Sequence, residues 1–148
     1  MANVLIDTNV LVYAHDRGEF EKQQQANRAL DHLFGSGAGR LSVQSLSEFF
    51  RATTRGANPI LTVQVAAQQV QQLAHAWTVL DLTPQIVIEA ARGAGSHQLA
   101  YWDAQLWATA KLNQIQVIFT EDLPSSAVLE GVRFVNPFAA DFVIEDWV

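Results

Sequence analysis

The chain has 148 residues, 49% of them hydrophobic, which is enough for one compact domain with a sizeable core. It contains no cysteine, which excludes disulfides and thiolate metal sites, and its net charge of −6 argues against broad electrostatic capture of nucleic acid. No apolar stretch approaches the roughly 20 residues of a membrane span and no signal-peptide pattern is present, so a cytoplasmic protein is expected.

Strand-like and helix-like segments alternate along the chain, which predicts an α/β fold with a mostly parallel sheet. Strands are predicted at residues 4–6, 40–43, 77–80 and 116–120, with an edge strand at 133–135. Helices are predicted at residues 10–14, 20–34, 44–55, 63–75, 84–94 and 102–112. Gly35 is expected to end the second of these helices. No linker or repeat divides the sequence, so residues 1–148 are predicted to form a single domain.

Two acids lie just after predicted strands. Asp7 ends the apolar run Val4-Leu5-Ile6, and Asp122 follows the strand 116–120 after one further residue. Sites in α/β proteins are built at the carboxyl ends of parallel strands, so both acids are candidate ligands for a metal or a phosphate-bearing substrate. If the two strands are parallel neighbours, the two carboxylates share one edge of the sheet. Two structural alternatives stay open, with Asp7 as a helix N-cap and Asp122 as a turn residue before Pro124.

A third acid, Asp103, heads the apolar face of a predicted helix. Leu106, Trp107 and Ala110 lie three, four and seven residues further on and form one stripe. A carboxylate in the first turn is stabilised by the helix dipole, which is the structural alternative. That alternative does not explain a carboxylate directed at the core, where a compensating group is required.

The fourth acid, Glu48, lies beside the packed face of another predicted helix. Two structural roles compete with a functional one. Ser45 and Glu48 have the spacing of a capping box. Glu48 and Arg51 have the spacing of a surface ion pair. Glu48 is therefore a candidate only in combination with the other acids.

Convergence of these acids would be informative, because carboxylates brought together repel one another and raise each other's pKa values. Bound cations relieve that repulsion. Ligands that are all oxygen atoms suit Mg²⁺ or Mn²⁺ rather than zinc. Divalent ions held by acids catalyse phosphodiester hydrolysis by activating water and screening charge on the leaving oxygen.

Four short motifs, each with one of these acids, follow one another along the chain. They are Ile6-Asp7-Thr8-Asn9-Val10-Leu11-Val12, Ser47-Glu48-Phe49, Tyr101-Trp102-Asp103-Ala104 and Thr120-Glu121-Asp122-Leu123. In this order and spacing they resemble the PIN-domain ribonucleases. The likeness extends over nearly the whole chain, to Val135-Asn136-Pro137-Phe138, and is greatest to the VapC-type toxins of bacterial toxin–antitoxin pairs.

The resemblance implies a PIN-like α/β/α sandwich with an acidic quartet, Asp7, Glu48, Asp103 and Asp122, around Mg²⁺ or Mn²⁺. Thr120 would be a supporting polar residue. A homodimer is also implied, as is an antitoxin whose tail covers the acidic groove. The segment Leu123-Pro124-Ser125-Ser126 departs from the polar or glycine-bearing segment of many relatives. Glu121 is for that reason an alternative to Asp122 as the fourth acid.

Arginines and aromatic residues provide candidate RNA contacts. Arg51 and Arg55 lie three and seven residues after Glu48, on the same side of the helix, and could bind RNA phosphates or be solvated arginines. The four tryptophans could stack on bases, although core packing is the preferred interpretation. His97 could line a substrate groove or lie on the surface.

The sequence therefore predicts a metal-dependent endoribonuclease, the toxin of a type II toxin–antitoxin system, with Asp7 and Asp103 as the main metal ligands. One alternative is a catalytically inactive PIN fold that only binds a partner. The other is a receiver-like signalling module, which needs an acidic pair after the first strand and a lysine after a late one. Here Asp7 is followed by Thr8-Asn9, and the only lysines are Lys22 and Lys111.

Overall fold

A parallel sheet forms the centre of the molecule, seen here in a computed structural model that describes residues 2–125 and 127–148. The sheet in this part of the chain has six strands: β1 (Val4–Ile6), β2 (Gly39–Ser42), β3 (Thr78–Leu80), β4 (Val117–Phe119), β5 (Val128–Leu129) and β6 (Val132–Val135). Their spatial order is β3-β2-β1-β4-β6-β5, and β5 pairs antiparallel with β6 whereas the other pairs are parallel. The predicted α/β fold with a mostly parallel sheet is confirmed.

The helices alternate with these strands. They are α1 (Thr8–Tyr13), α2 (Phe20–Ser36), α3 (Val43–Thr54), α4 (Val63–Ala76), α5 (Pro84–His97) and α6 (Tyr101–Leu112), followed by a 3-10 helix (Ile144–Asp146). No helix within the described residues is both long and apolar enough to cross a membrane.

The sheet is buried on both faces, so its strands are apolar runs rather than alternating ones. In β1, Val4 and Ile6 belong to a core that also contains residues of α1, α2 and α3. Leu5, between them, belongs to a second core with residues of α5 and α6. Helices therefore cover the sheet on two sides, which is the predicted α/β/α arrangement.

Two helices end later than predicted. α2 continues through Gly35 to Ser36, and Gly37 then takes the left-handed conformation (φ 72°) that ends a helix at low steric cost. α5 extends to His97 rather than ending near Ala94. Gly93 is required within it, because a Cβ atom there would lie 2.4 Å from the Trp107 ring. This glycine permits close packing of α5 on α6 and does not terminate the helix.

Two further local predictions were wrong. α3 begins at Val43, and its N-cap is Ser42, whose hydroxyl accepts a hydrogen bond from the Ser45 amide at 3.1 Å. The helix thus starts too early for Ser45 and Glu48 to form a capping box. β6 was expected at the edge of the sheet, but β5 pairs outside it. This two-residue strand has too little sequence pattern to be recognised.

Candidate active site

The register of two neighbouring strands places the first acid. Ile6 of β1 lies opposite Phe119 of β4, so Asp7 and Thr120 emerge side by side at the carboxyl edge of the sheet. The Asp7 amide donates to the Phe119 carbonyl at 2.9 Å, and the Thr120 hydroxyl donates to Asp7 Oδ2 at 2.7 Å. β1 and β4 are parallel neighbours, which is the condition under which Asp7 and Asp122 were expected to share one edge of the sheet.

Asp7 is a buried carboxylate, 7% exposed, whose two oxygens accept hydrogen bonds. Oδ1 accepts from the Thr8 amide at 2.7 Å, which makes Asp7 the N-cap of α1. Oδ2 accepts from Thr120 and, at 3.3 Å, from the Asn9 side-chain amide. The capping role and a place in a site are therefore compatible for this residue, since Asp7 caps α1 and also lines the pocket described below.

Glu48 reaches the same edge of the sheet from α3. Its Oε1 accepts hydrogen bonds from the Thr8 hydroxyl at 3.0 Å and from the Gln44 side-chain amide at 3.2 Å. The bond from Thr8 ties α3 to the beginning of α1. The alternative surface pair between Glu48 and Arg51 is not formed among the described residues.

Asp103 enters the site from the first turn of α6. The residues Leu106, Trp107 and Ala110 are buried as predicted, and Asp103 is half-buried at the end of their stripe. Burial raises the pKa of the Asp103 carboxyl, and the negative charges of Asp122 and Glu48 raise it further. The helix dipole alone would lower it, so repulsion by other acids and loss of water outweigh the dipole here.

The two acids after β4 have different surroundings. Glu121 accepts a hydrogen bond from the Tyr13 hydroxyl at 2.8 Å and forms an ion pair with Lys22, so its charge is already neutralised. Asp122 is exposed, and its amide donates to the Thr120 hydroxyl at 3.1 Å. Thr120 thus holds the Asp7 carboxylate and the loop of Asp122 together.

The pKa shift among the acids at this edge is largest for the buried Asp7. Burial raises the pKa of Asp7 to about 7, although the hydrogen bonds from Thr120 and Thr8 act in the opposite direction. Asp122 and Glu48 add a smaller increase through their negative charge. Each of the four predicted acids is therefore within electrostatic range of others in the set.

All four acids line one open pocket of about 520 Å³, which we call the acidic pocket. Arg51, Arg55 and Trp102 also line it. Both arginines are exposed, and neither forms an ion pair within the described part of the chain. A pocket that combines carboxylates with unpaired guanidinium groups can bind cations and phosphates side by side.

The donor chemistry of the acidic pocket fits a hard divalent cation. The candidate donors in it are carboxylate oxygens, and the Asn9 side-chain oxygen beside Asp7 is buried without a hydrogen-bond partner among the described residues. Within the described residues, no three Asp, Glu or His side chains gather closely enough to hold one ion as they stand. Coordination of a shared ion would therefore require movement of side chains such as those of Asp103 and the exposed Asp122.

Comparison with protein families identifies the chain. Residues 4–123 match the family model described as PIN domain. The chain belongs to the PIN-domain family. The match covers β1 to the loop after β4, and so includes every element that contributes an acid to the acidic pocket. The comparison with curated proteins finds no significant match.

Solved structures with the same fold come from toxin–antitoxin systems. A toxin–antitoxin complex from Klebsiella pneumoniae is 18% identical, with a TM-score of 0.66 over 91% of this chain and 98% of that one. DNA-bound VapBC from Salmonella typhimurium is 17% identical, with a TM-score of 0.67 over 93% and 99%. VapC20 of Mycobacterium tuberculosis, a toxin that cleaves the sarcin–ricin loop, is 20% identical, with a TM-score of 0.65 over 88% and 99%. At these identities the likeness concerns the fold of this PIN domain.

The structure decides between the alternatives left open for His97 and the tryptophans. His97 lies outside the acidic pocket of the PIN domain, with its Nε2 atom 2.6 Å from Glu130 and its ring against the edge of Trp107. Core packing holds for Trp107, which is buried, but Trp102 is 61% exposed. Trp102 and Trp107 lie five positions apart on α6, so they project from different sides of the helix.

Sequence reasoning missed the residues that hold the acids in position. Gln44 donates a hydrogen bond to Glu48. Glu121 accepts a hydrogen bond from Tyr13 and forms an ion pair with Lys22. Gln44 lies one helical turn before Glu48, a spacing that allows such a contact and could have been noticed. The contact of Lys22 with Glu121 joins residues 99 positions apart and left no local signal.

Proposed function

We propose that this PIN domain is a metal-dependent endoribonuclease and the toxin of a toxin–antitoxin pair. The observation that carries the proposal is the convergence of Asp7, Glu48, Asp103 and Asp122 on one pocket, where burial and like charge raise the pKa of Asp7 to about 7. A protein gains no stability from such repulsion. Acids that are held together despite this loss of stability are typical of a site that holds cations and binds a charged substrate.

Asp7 and Asp103 would be the main ligands of Mg²⁺ or Mn²⁺, and Glu48 and Asp122 would complete the ligand set or orient water. When bound, such a cation supplies Lewis-acid activation of water and offsets charge on the phosphate. Thr120 holds Asp7 in place by its 2.7 Å hydrogen bond. The ion pair of Glu121 with Lys22 favours Asp122 over Glu121 as the fourth acid.

Arg51 and Arg55 would bind the RNA backbone. They lie on the α3 side of the acidic pocket, exposed and without ion pairs among the described residues, so their donors are free to contact phosphate oxygens. They would counter the repulsion between RNA and the net charge of −6.

An antitoxin protein and a second copy of the chain are the partners we propose. Support comes from neighbours in fold that are toxin–antitoxin complexes, including those from Klebsiella pneumoniae and Salmonella typhimurium. Membership of the PIN-domain family sets aside the receiver-like alternative. A PIN fold without catalytic activity is the remaining one.

Replacement of Asp103 by Asn tests the enzyme directly. Asn has nearly the same size, so Asp103→Asn should preserve packing while removing a charge that would hold the cation. Cleavage of structured RNA in Mg²⁺ or Mn²⁺ should fall by more than about 100-fold, the scale of loss when one group acting at the transition state is removed. Gel analysis of labelled RNA measures the rate, and EDTA should abolish cleavage by the unmodified protein.

The matched control is Asp31→Asn, at an exposed acid outside the acidic pocket, which should cleave at the unmodified rate. Circular dichroism and binding of a co-expressed antitoxin should be the same for both variants. Asp103→Asn protein that cleaves at the unmodified rate, when a parallel preparation excludes contaminating nuclease, would refute the mechanism. Absence of cleavage by the unmodified protein would favour the inactive alternative.

A further inference from the structure

Trp102 has an unusual position for a large apolar side chain. It is 61% exposed, yet it lines the acidic pocket directly before Asp103 on α6. Single exposed hydrophobic residues are common on protein surfaces and need no special explanation. The position of Trp102 becomes informative because the groups around it restrict its movement.

A closed set of hydrogen bonds holds the backbone of α6 at Trp102. The Tyr101 hydroxyl donates to Gln105 Oε1 at 3.0 Å, and the Gln105 amide donates to Gln44 Oε1 at 2.9 Å. The Gln44 amide then donates to the Trp102 carbonyl at 3.0 Å, which closes the circuit through the backbone. Gln105 is buried, so this circuit is anchored in the core.

The ring itself has one aromatic neighbour. The Tyr101 and Trp102 ring centroids lie 5.1 Å apart with planes at 79°, an edge-to-face contact. The tyrosine ring is positioned in turn by its hydrogen bond to Gln105. This contact supports the indole on one side, while most of its surface stays open to solvent. This contact limits the movement of the ring before any ligand binds, which lowers the entropic cost of stacking.

The charge of the surrounding pocket suits a nucleotide. Arg51 and Arg55 lie in the same pocket as Trp102, and as exposed arginines they are available to contact phosphates. An apolar protein segment would gain little from these charged neighbours and would leave their guanidinium groups unpaired. Base faces combined with phosphates match both kinds of group.

We infer that Trp102 stacks on an unpaired base of the RNA next to the phosphate held in the acidic pocket. The inference rests on the proposed ribonuclease function and adds a residue that contacts a base beside the cleaved bond. A base within a duplex already stacks on its neighbours and cannot reach the indole. Proteins that read RNA through aromatic side chains accordingly bind loops, bulges and single strands.

The experiment measures binding of a short unstructured oligoribonucleotide labelled with fluorescein, in millimolar Mg²⁺. All proteins carry Asp122→Asn to prevent cleavage, and gels verify that the probe stays intact. In this background, Trp102→Leu should weaken binding by about 5- to 150-fold, the range for loss of one base–aromatic stack. Phe20→Leu, at an exposed aromatic residue outside the pocket, is the matched control and should bind normally.

Trp102→Phe separates stacking from loss of structure. Phenylalanine keeps an aromatic face, so most of the affinity should remain. Because the indole is gone, the quenching of tryptophan fluorescence by RNA should disappear in this variant. The same oligonucleotide annealed to its complement should bind with equal affinity whether residue 102 is tryptophan or leucine.

Several results would overturn the inference. Binding of the single strand by Trp102→Leu at the unmodified affinity would do so, as would equal losses for single strand and duplex. A change of oligomeric state or of antitoxin binding, with RNA affinity intact, would instead assign Trp102 to a protein contact. If the unmodified protein cleaves RNA and Asp103→Asn does not, any of these binding results rejects the stacking role of Trp102 and leaves the proposed ribonuclease function in place. A protein that neither binds nor cleaves RNA rejects both proposals.

Discussion

Two clusters of charged residues in this PIN domain shift the pKa values of their acids in opposite directions. In the acidic pocket, burial raises the pKa of Asp7 to about 7. Outside that pocket, Glu89 and Glu130 form a charged network with Arg92, His97 and Lys111. Hydrogen bonds from Arg92, with contributions from Lys111, lower the pKa of both Glu89 and Glu130 to about 2.

The difference lies in the partners available to each carboxylate. Arg92 donates to Glu89 at 2.7 Å and to Glu130 at 2.7 Å, and thereby joins α5 to the turn between β5 and β6. Asp7 accepts only from neutral donors, the Thr8 amide and the side chains of Thr120 and Asn9. Carboxylates that serve structure are paired with cations of the chain. Those of the acidic pocket are left for a ligand to neutralise, and this is the comparison that the following experiments test.

The largest effect on stability should come from Asp7. In EDTA, the folded Asp7 carboxyl keeps its proton up to a pKa of about 7, whereas the unfolded chain releases it near 3.8. Stability should therefore fall as pH rises between these values, by up to about 4 kcal/mol at one pKa unit per about 1.4 kcal/mol. Urea unfolding at a series of pH values measures this, and Asp7→Asn should remove that part of the pH dependence. An unchanged pH profile in Asp7→Asn would contradict the raised pKa.

Divalent cations should offset this destabilisation. Mg²⁺ or Mn²⁺ binds the folded site and not the dispersed acids of the unfolded chain, so the melting temperature should rise. The gain is about 3 kcal/mol when the free cation is about 100 times its Kd. Asp7→Asn and Asp103→Asn should reduce the shift, whereas Glu89→Gln in the charged network should retain it. Equal shifts in all four proteins would exclude the quartet as the metal site.

The arginines of the two clusters should differ in RNA binding. Arg51→Ala should weaken RNA affinity and reduce the slope of log affinity against log salt by about 0.7 to 1, the effect of one lost phosphate contact. Arg92→Ala should leave the slope unchanged, because Arg92 is already paired with Glu89 and Glu130. Fluorescence anisotropy over a salt series gives both slopes. Equal slopes for Arg51→Ala and the unmodified protein would show that Arg51 is a solvated arginine without a phosphate contact.

The smallest effect is expected from the charged network. Glu89→Gln should reduce stability at neutral pH by less than about 1 kcal/mol, because ion pairs near the surface are screened by water and salt. Pairing lowers the pKa of the Glu89 carboxyl. Its contribution to the free energy of unfolding should therefore be present above about pH 4.5 and be lost as the pH falls toward 2. Thermal melts of Glu89→Gln and the unmodified protein should therefore converge in acid. A larger difference in acid than at neutral pH would contradict the pairing.

Much of the site was predictable because its acids follow local patterns. Asp7 terminates an apolar strand, and Asp103 heads an apolar helical stripe, and both patterns depend only on neighbours in sequence. Membership of the PIN-domain family is likewise shown by the chain itself. The bounds of α5 were less predictable, because Gly93 lies in a helix only to admit the Trp107 ring of another helix. Local sequence rules interpret such a glycine as a break.

The amino-acid sequence by itself determined the α/β class and the mostly parallel sheet, and it singled out the four acids that line the acidic pocket. Hydrophobic periodicity and strand-end position are properties of short segments, so they can be recognised without knowledge of the fold. Only the tertiary structure decided which acids stay unpaired, because pairing depends on residues that meet from distant positions. Lys22 forms an ion pair with Glu121 across 99 positions, and Gln44 of α3 bonds both the Trp102 carbonyl and Gln105 of α6. The burial that raises the pKa of Asp7 is also a product of the assembled fold, since Asp7 lies where β1, its neighbour β4 and the start of α1 meet.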